Sequence, residues 1–314
     1  MENKIMKAAA IDAYGSAENL KVREMKVPEF GENQLLVKVF AASVNPVDTY
    51  FRKGMLKIMT GNSFPMIPGR DLAGVVEEAG GKTIGFKKGD KIYAVTEPSK
   101  GGSYAEYAVV NYGRAAIMPH NLNFEEAAAV PVAGVTALQS LRIASPEING
   151  KDILIYGATG GVGSFAVQAA KALGATVTAV CGVKNADIAK KLGADEVIGY
   201  ENLDFLKTSQ KYDVVVDYVG NRTPWELTSV LKKSGMCVTP VFRKRGLFAV
   251  IFNRHFKTMM ADINTKDLDW YREKIESHAV KPLIDTIFTL DKTAQAQLHV
   301  ETKHSRGKTI IKIR

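Results

Sequence analysis

The chain has 314 residues, 46% of them hydrophobic and 24% charged, with a formal net charge of +9. This length allows two domains with separate cores, and no apolar run reaches the roughly 18–20 residues that a membrane-spanning helix needs. Lys and Arg are scattered, without a dense basic tract or a basic run interleaved with aromatics, so a solvated basic surface is favoured over a nucleic-acid footprint.

The first residues, MENKIMKAAAIDAYG, carry neither a secretory hydrophobic region nor an Arg/Ser-rich amphipathic presequence, which predicts a cytoplasmic protein. Short strands follow at 33–44, 73–80, 87–95 and 101–110, separated by Gly, Pro and Asp turns, the pattern of a partly open barrel. Residues 123–144 are rich in Ala and Leu with acids at the start, which predicts a helix interrupted at Pro131. From 151 to about 240, strands at 152–157, 175–180, 194–200, 212–220 and 235–241 alternate with helices at 161–174, 185–193 and 223–235. Nearly unbroken Val/Ile strands between helices predict a parallel sheet covered on both faces, with its last strand somewhere in 248–262. A helix is expected over 265–280 with Thr265 as N-cap. The strands of KPLIDTIFTL and KTIIKIR, with a helix between them, fit an antiparallel β domain and return the chain to its first region. Residues 243–256 are expected to shape a pocket and any dimer edge.

The chemistry concentrates in YGATGGVGSF, residues 156–165. This loop follows a strand and opens a helix, the context that separates a dinucleotide turn from a chance cluster of glycines. Ala158, Gly160 and Gly163 occupy the G-x-G-x-x-G positions, with Thr159, Gly161 and Val162 between them. Ala158 departs from the pattern. Gly160 still permits close backbone approach to a pyrophosphate, Gly163 permits close helix–strand packing, and the helix N-terminus supplies free N–H groups. NAD sites usually place an acid about 20 residues further on, at the end of the second strand. Here that end reads CGVKN, 181–185, with no acid before Asp187. Lys184 stands where a 2′-phosphate needs a cation, and Asn185 can donate to it. Both favour NADP(H); the plainer readings are a solvated lysine and a helix cap.

The two cysteines, Cys181 and Cys237, lack C-x-x-C spacing and lie in apolar strand-like surroundings, which predicts inert buried thiols. The five histidines show no metal spacing.

SVNPVDTYFRKG (43–54), PGRDLAGVVEEAG (68–80), GGSYAEYAVV, PVAGVTALQSL (131–141), YGATGGVG, LGADEVIGY (192–200) and HSRGKTIIKI (304–313) occur in one order. Together they resemble the medium-chain dehydrogenase/reductase superfamily, in its zinc-independent quinone oxidoreductase (ζ-crystallin-like) and alkenal reductase branch. The resemblance covers essentially the whole chain. It implies an α/β fold with a Rossmann doubly wound parallel sheet plus a GroES-like, partly open β-barrel domain. The GroES-like catalytic domain is expected at 1–124 with a C-terminal return at 268–314, and the Rossmann NADP(H)-binding domain at 125–267. A homodimer is implied in the same way.

Zinc members of the superfamily use Cys and His ligands, but residues 1–119 contain neither. Asn45 stands where the first ligand Cys would be, and Arg70-Asp71 stand where His-Glu would be. Zinc needs soft or imidazole donors, so no metal site is expected. Without that Lewis acid, an acceptor that is already electron-poor, a quinone or an enal or enone, is the favoured substrate.

Asn45 and Tyr50 match family positions near nicotinamide and substrate and are the catalytic candidates, as donors to a developing oxyanion. The plainer readings are a turn for Asn45-Pro46, a packed aromatic for Tyr50, a local cap for Asp48, and Arg70 pairing with Asp71 across a turn. By the same resemblance Thr136, Tyr200, Val219, Cys181, Arg306 and Lys308 join the cofactor-binding set. For Arg306 and Lys308 the plainer reading is a solvated turn. The expected activity is NADPH-dependent reduction of a quinone or an α,β-unsaturated carbonyl. The alternatives are an enoyl-thioester reductase on the same scaffold, and a crystallin-like or RNA-binding protein with a retained cofactor site.

Overall fold

The computed structural model describes residues 4–97, 102–241 and 250–314. The chain divides into two compact units. The first comprises 1–132, 263–276 and 282–314, and the second 133–262 and 277–281. The sequence reading placed the divisions at 124 and 267. Helix Phe124–Ala128, which follows an Asn123/Glu126 capping box, packs on the sheet of the first unit and so moves the division past it. Helix Thr265–Glu276 packs on strand Ala115–Ile117 and likewise belongs to the first unit.

The first unit contains the antiparallel pair β1 (Ile5–Ala10) and β2 (Lys21–Lys26). Its larger sheet is built from β3 (Gln34–Val44), β4 (Asp71–Ala79), β5 (Lys91–Val95), β6 (Tyr107–Asn111), β7 (Ala115–Ile117), β14 (Ile284–Thr289) and β15 (Lys308–Lys312). The order is β14-β15-β3-β4-β5-β7, with β6 also paired to β3. The expected antiparallel domain is present except at its edge, where β14 and β15 pair in parallel. Helix Thr293–Glu301 joins those two strands, and such a crossover connects parallel rather than hairpin neighbours. Leu35, Val37, Val39, Leu72, Val76, Ile92 and Ala94 alternate inward from β3, β4 and β5 into one buried cluster.

The second unit carries a six-stranded sheet of β8 (Asp152–Tyr156), β9 (Thr176–Cys181), β10 (Glu196–Gly199), β11 (Tyr212–Asp217), β12 (Leu231–Thr239) and β13 (Phe256–Thr258). The order is β10-β9-β8-β11-β12-β13 and every pairing is parallel. This is the Rossmann order, reversing direction between β8 and β11, where ligands bind outside the strand ends. Leu154, Val215, Cys237 and Phe256 lie in register across four neighbouring strands and form one row of the buried core.

Three local expectations change. The helix read over 223–235 is only Pro224–Ser229, capped by Thr223, and β12 begins at Leu231, where it pairs with Tyr212. Helix Thr265–Glu276 is capped by Asn264, whose side chain accepts the Asp267 N–H at 2.9 Å. Thr265 instead donates its hydroxyl to the Ala115 carbonyl at 2.9 Å. Of residues 243–256, 243–249 lie outside the described residues; Val250, Ile251 and Phe252 are exposed and Phe256 is buried in β13.

Candidate functional site

The glycine turn is set by β8 and β9. After Tyr156 the backbone takes a left-handed conformation at Gly157 (φ +84°), and the Gly157 and Ala158 amides donate to the Val180 carbonyl at 3.0 and 3.2 Å. The tight turn is therefore made by Gly157, one residue before Ala158, and Ala158 sits fully buried without strain. Gly163 is required by packing, because a Cβ there would lie 2.0 Å from the Gly157 carbonyl oxygen.

Gly160 is different. Its backbone is extended (φ −78°, ψ −180°), and a Cβ would meet only the Gly157 oxygen, at 3.4 Å. Nothing in the chain's own packing demands glycine there, and a side chain would fill the space in front of helix Gly161–Ala172. The first bond of that helix runs from Ser164 N–H to Gly160 O at 2.9 Å, so the amides before Ser164 have no intrahelical acceptor. A cradle that a methyl group would fill, at the end of a twelve-residue helix, fits a dinucleotide pyrophosphate.

Within the turn Thr159 is buried, and the Val219 side chain after β11 lies beside Gly157; elsewhere Thr136 is buried on helix Pro131–Ala144, and Tyr200, after β10, is 50% exposed with its hydroxyl beside Gly182. Asp217, at the end of β11, fixes the turn after it by accepting from the Val219 and Gly220 amides, both at 2.9 Å. Cys181 is buried, and burial pushes its thiol up to about 11, so it stays neutral near pH 7. Lys184 is exposed, and Asn185 carries a buried amide oxygen with no partner. It does not cap the following helix through its side chain.

Sequence reasoning missed one group. No acid ends β9, yet one reaches the turn from the end of β10: Glu201 Oε2 accepts the Val183 N–H at 2.9 Å. The signal was an acid directly after Tyr200, in space beside β9 although twenty positions away from it in sequence.

The first unit gathers a second constellation at the ends of β3, β4 and β15. Antiparallel pairing of Val44 with Thr309 and of Ser43 with Asp71 brings Asn45, Asp71 and Lys308 together. Lys308 Nζ donates to Asn45 Oδ1 at 2.6 Å and lies 3.5 Å from Asp71. Asn45 Nδ2 donates to Asp71 Oδ2 at 2.8 Å, Ser43 adds its hydroxyl at 2.7 Å, and the Val132 N–H donates to Asp71 Oδ1 at 2.9 Å. Lys308 has no acceptor and ionised Asp71 has no donor, so the Asn45 amide has a single satisfied orientation. One Nδ2 hydrogen is left over. Asn45 and Lys308 are each 3% exposed. Lys308 is thus no solvated turn residue, and burial lowers its affinity for the proton. Arg306, two residues earlier, is exposed.

Asp48 adds a third layer. Its Oδ2 accepts the Asn45 N–H at 2.7 Å, as a local cap would, and also the Tyr104 hydroxyl at 3.1 Å. Its Oδ1 has no partner. Burial pushes the Asp48 carboxyl up to about 7, reinforced by the charge of Asp71 and opposed by the Asn45 N–H, Arg70 and Lys308. Arg70 does not bond to Asp71; its Nε has no partner, and burial lowers its pKa. Tyr50, on helix Pro46–Arg52, is 42% exposed and so is not a packed barrel aromatic.

The family model for the alcohol dehydrogenase GroES-like domain matches residues 31–120, and that for zinc-binding dehydrogenases matches 192–311. The chain is 38% identical to a 2-methylene-furan-3-one reductase of Solanum lycopersicum, over 98% of this chain and 79% of that one. It is 36% identical to an NADPH-dependent alkenal/one oxidoreductase of Arabidopsis thaliana described as chloroplastic, over 98% and 80%. A solved quinone oxidoreductase from Coxiella burnetii superposes with a TM-score of 0.92 at 32% identity, covering 99% of this chain and all of that one.

Zinc, which one of these family names carries, does not fit the residues at the corresponding positions here. A buried ammonium at Lys308 already lies against Asn45 and Asp71, and a divalent cation beside it would be repelled. Among the described residues no group of three His, Cys, Asp or Glu is placed to hold a metal ion. The Rossmann strand order, the glycine turn and the relatives matched along the whole chain lead to one assignment: the chain belongs to the medium-chain dehydrogenase/reductase superfamily, in its zinc-independent quinone oxidoreductase and alkenal reductase branch.

Proposed function

We propose that this protein is a cytoplasmic, homodimeric reductase that uses NADPH to reduce quinones or α,β-unsaturated carbonyls. The observation that carries the reading is Gly160, a glycine its own fold does not require, set before a helix N-terminus at the switch point of a Rossmann sheet. The names of the related alkenal/one oxidoreductase and quinone oxidoreductase support the acceptor class. When bound, the nicotinamide supplies the hydride. The chain's own residues orient and desolvate the reactants and stabilise the oxygen on which charge develops. Asn45 offers the leftover Nδ2 hydrogen for that oxygen, with Lys308 and Asp71 holding its amide. Tyr50, a half-exposed residue, offers a hydroxyl. The preference for NADPH rests on Lys184, on the Asn185 amide, whose buried oxygen has no partner, and on the absence of an acid at the end of β9 itself.

The test is oxidation of NADPH and NADH against a quinone, an alkenal, an enone and a simple aldehyde. Turnover of NADPH with one or more of the first three, and little with the aldehyde, is expected; no turnover with any electron-poor acceptor overturns the reading. Lys184→Ala is expected to raise the KM for NADPH about tenfold while leaving that for NADH within twofold. Equal effects on both show that Lys184 does not read the 2′-phosphate.

A further inference from the structure

Glu201 is the acid that the sequence of β9 lacks. Its Oε2 accepts the Val183 N–H at 2.9 Å, and its Oε1 lies 3.2 Å from where a Cβ on Gly182 would be. The Tyr200 hydroxyl is at the same distance from that position. Gly182 has an ordinary backbone conformation (φ −66°, ψ 143°), so its glycine identity is not a matter of backbone strain. It leaves room for the carboxylate and the phenol to lie against the turn that carries Lys184 and Asn185. The turn thus holds an anion of the chain's own, in the region where the second strand of a Rossmann sheet meets the adenosine ribose.

We propose that Glu201 determines which nucleotide the turn accepts: its carboxylate is an internal anion that a 2′-phosphate must displace and a 2′-hydroxyl need not. This rests on the proposal that the glycine turn binds a nicotinamide dinucleotide. Two anions cannot share one backbone amide, that of Val183, without repulsion, and the exposed setting of Glu201 makes its departure feasible. The chain therefore binds NADP(H) less tightly than Lys184 alone would allow and accepts NAD(H) in addition.

The experiment is equilibrium binding by calorimetry, without turnover, of NADP⁺, NAD⁺, 2′,5′-ADP and 5′-AMP to the unsubstituted protein and to Glu201→Gln. A glutamine oxygen still accepts from Val183, so the turn keeps its bond and loses only the charge. The expected result is binding of NADP⁺ and 2′,5′-ADP tightened about tenfold, as for relief of one near-surface like-charge contact, with NAD⁺ and 5′-AMP within about twofold. Weaker NAD⁺ and 5′-AMP with NADP⁺ unchanged overturns displacement and makes Glu201 a ribose-hydroxyl acceptor instead. Equal shifts in all four, or none, also overturn it. Binding of none of the four by the unsubstituted protein overturns the dinucleotide reading together with this one, whereas binding of them with an indifferent variant overturns this one alone.

Discussion

The glycine turn and the polar cluster at the ends of β3, β4 and β15 are two kinds of site. The turn is made by backbone: consecutive residues, a left-handed Gly157, a packing-restricted Gly163 and a helix that begins there. The cluster is made by side chains that sheet pairing brings together, with Lys308 and Asn45 separated by 263 positions. A backbone site is written in adjacent letters. A side-chain site is written in the register of strands, and its members are legible one at a time but not as a group.

The largest expected effect breaks the turn. Gly163→Ala places a methyl group into the Gly157 carbonyl, and because backbone must move, a loss on the order of 4–5 kcal/mol in the urea unfolding of the second unit is expected. Gly160→Ala is the control: stability within about 1 kcal/mol of the parent, but nucleotide affinity lowered at least about tenfold. If both variants lose stability alike, Gly160 is a folding residue and not a ligand cradle.

Next, Lys308→Met strips the cluster of a buried cation and leaves Asp71 uncompensated, expected to cost about 3–5 kcal/mol in chemical denaturation. The double variant with Asp71→Asn should recover much of that. Retained stability with loss of nucleotide binding would place Lys308 in the cofactor site rather than in the support of Asn45.

The last effect is read against pH, as a slope spread over several units. The Asp48 carboxyl stands at about 7 in the fold and near 3.8 when the chain is unfolded. Its protonated form is thus favoured by folding, so its stabilising contribution is full below about pH 4 and lost as pH rises through about 7, a change on the order of 4 kcal/mol by linkage. Asp48→Asn is expected to flatten the stability–pH curve across that window, since an amide oxygen still accepts from Asn45 and Tyr104. An unchanged slope would show that Asp48 does not titrate there.

The centre of the parallel sheet was legible because β8, β9 and β11 are short runs rich in Val and Ile, each followed by a helix or turn. The end of helix Pro224–Ser229 was not, because LKKSGMCVT reads locally as helix continuing to a glycine stop. Lys232 instead bridges Asp152 and Asp213 at 2.6 and 2.8 Å, partners on β8 and β11 that periodicity does not reveal. Asn45, Asp48, Asp71 and Lys308 were each visible as residues of interest. That Lys308 is buried against Asn45, and that Glu201 reaches the turn after β9, depended on strand register and a loop's return path, neither of which composition encodes.

The placement of Lys308 also has a consequence for the order of assembly during synthesis. The second unit is drawn from one nearly continuous stretch, so most of its contacts form between neighbours on the growing chain. The first unit begins the chain yet waits for β15: until residue 308 has left the ribosome, Asp71 lacks its ammonium and β3 lacks one of its flanking strands. A stalled nascent chain that has emerged from the ribosome to a point between 282 and 300 should therefore display a protease-resistant second unit while the first unit is still open at β3.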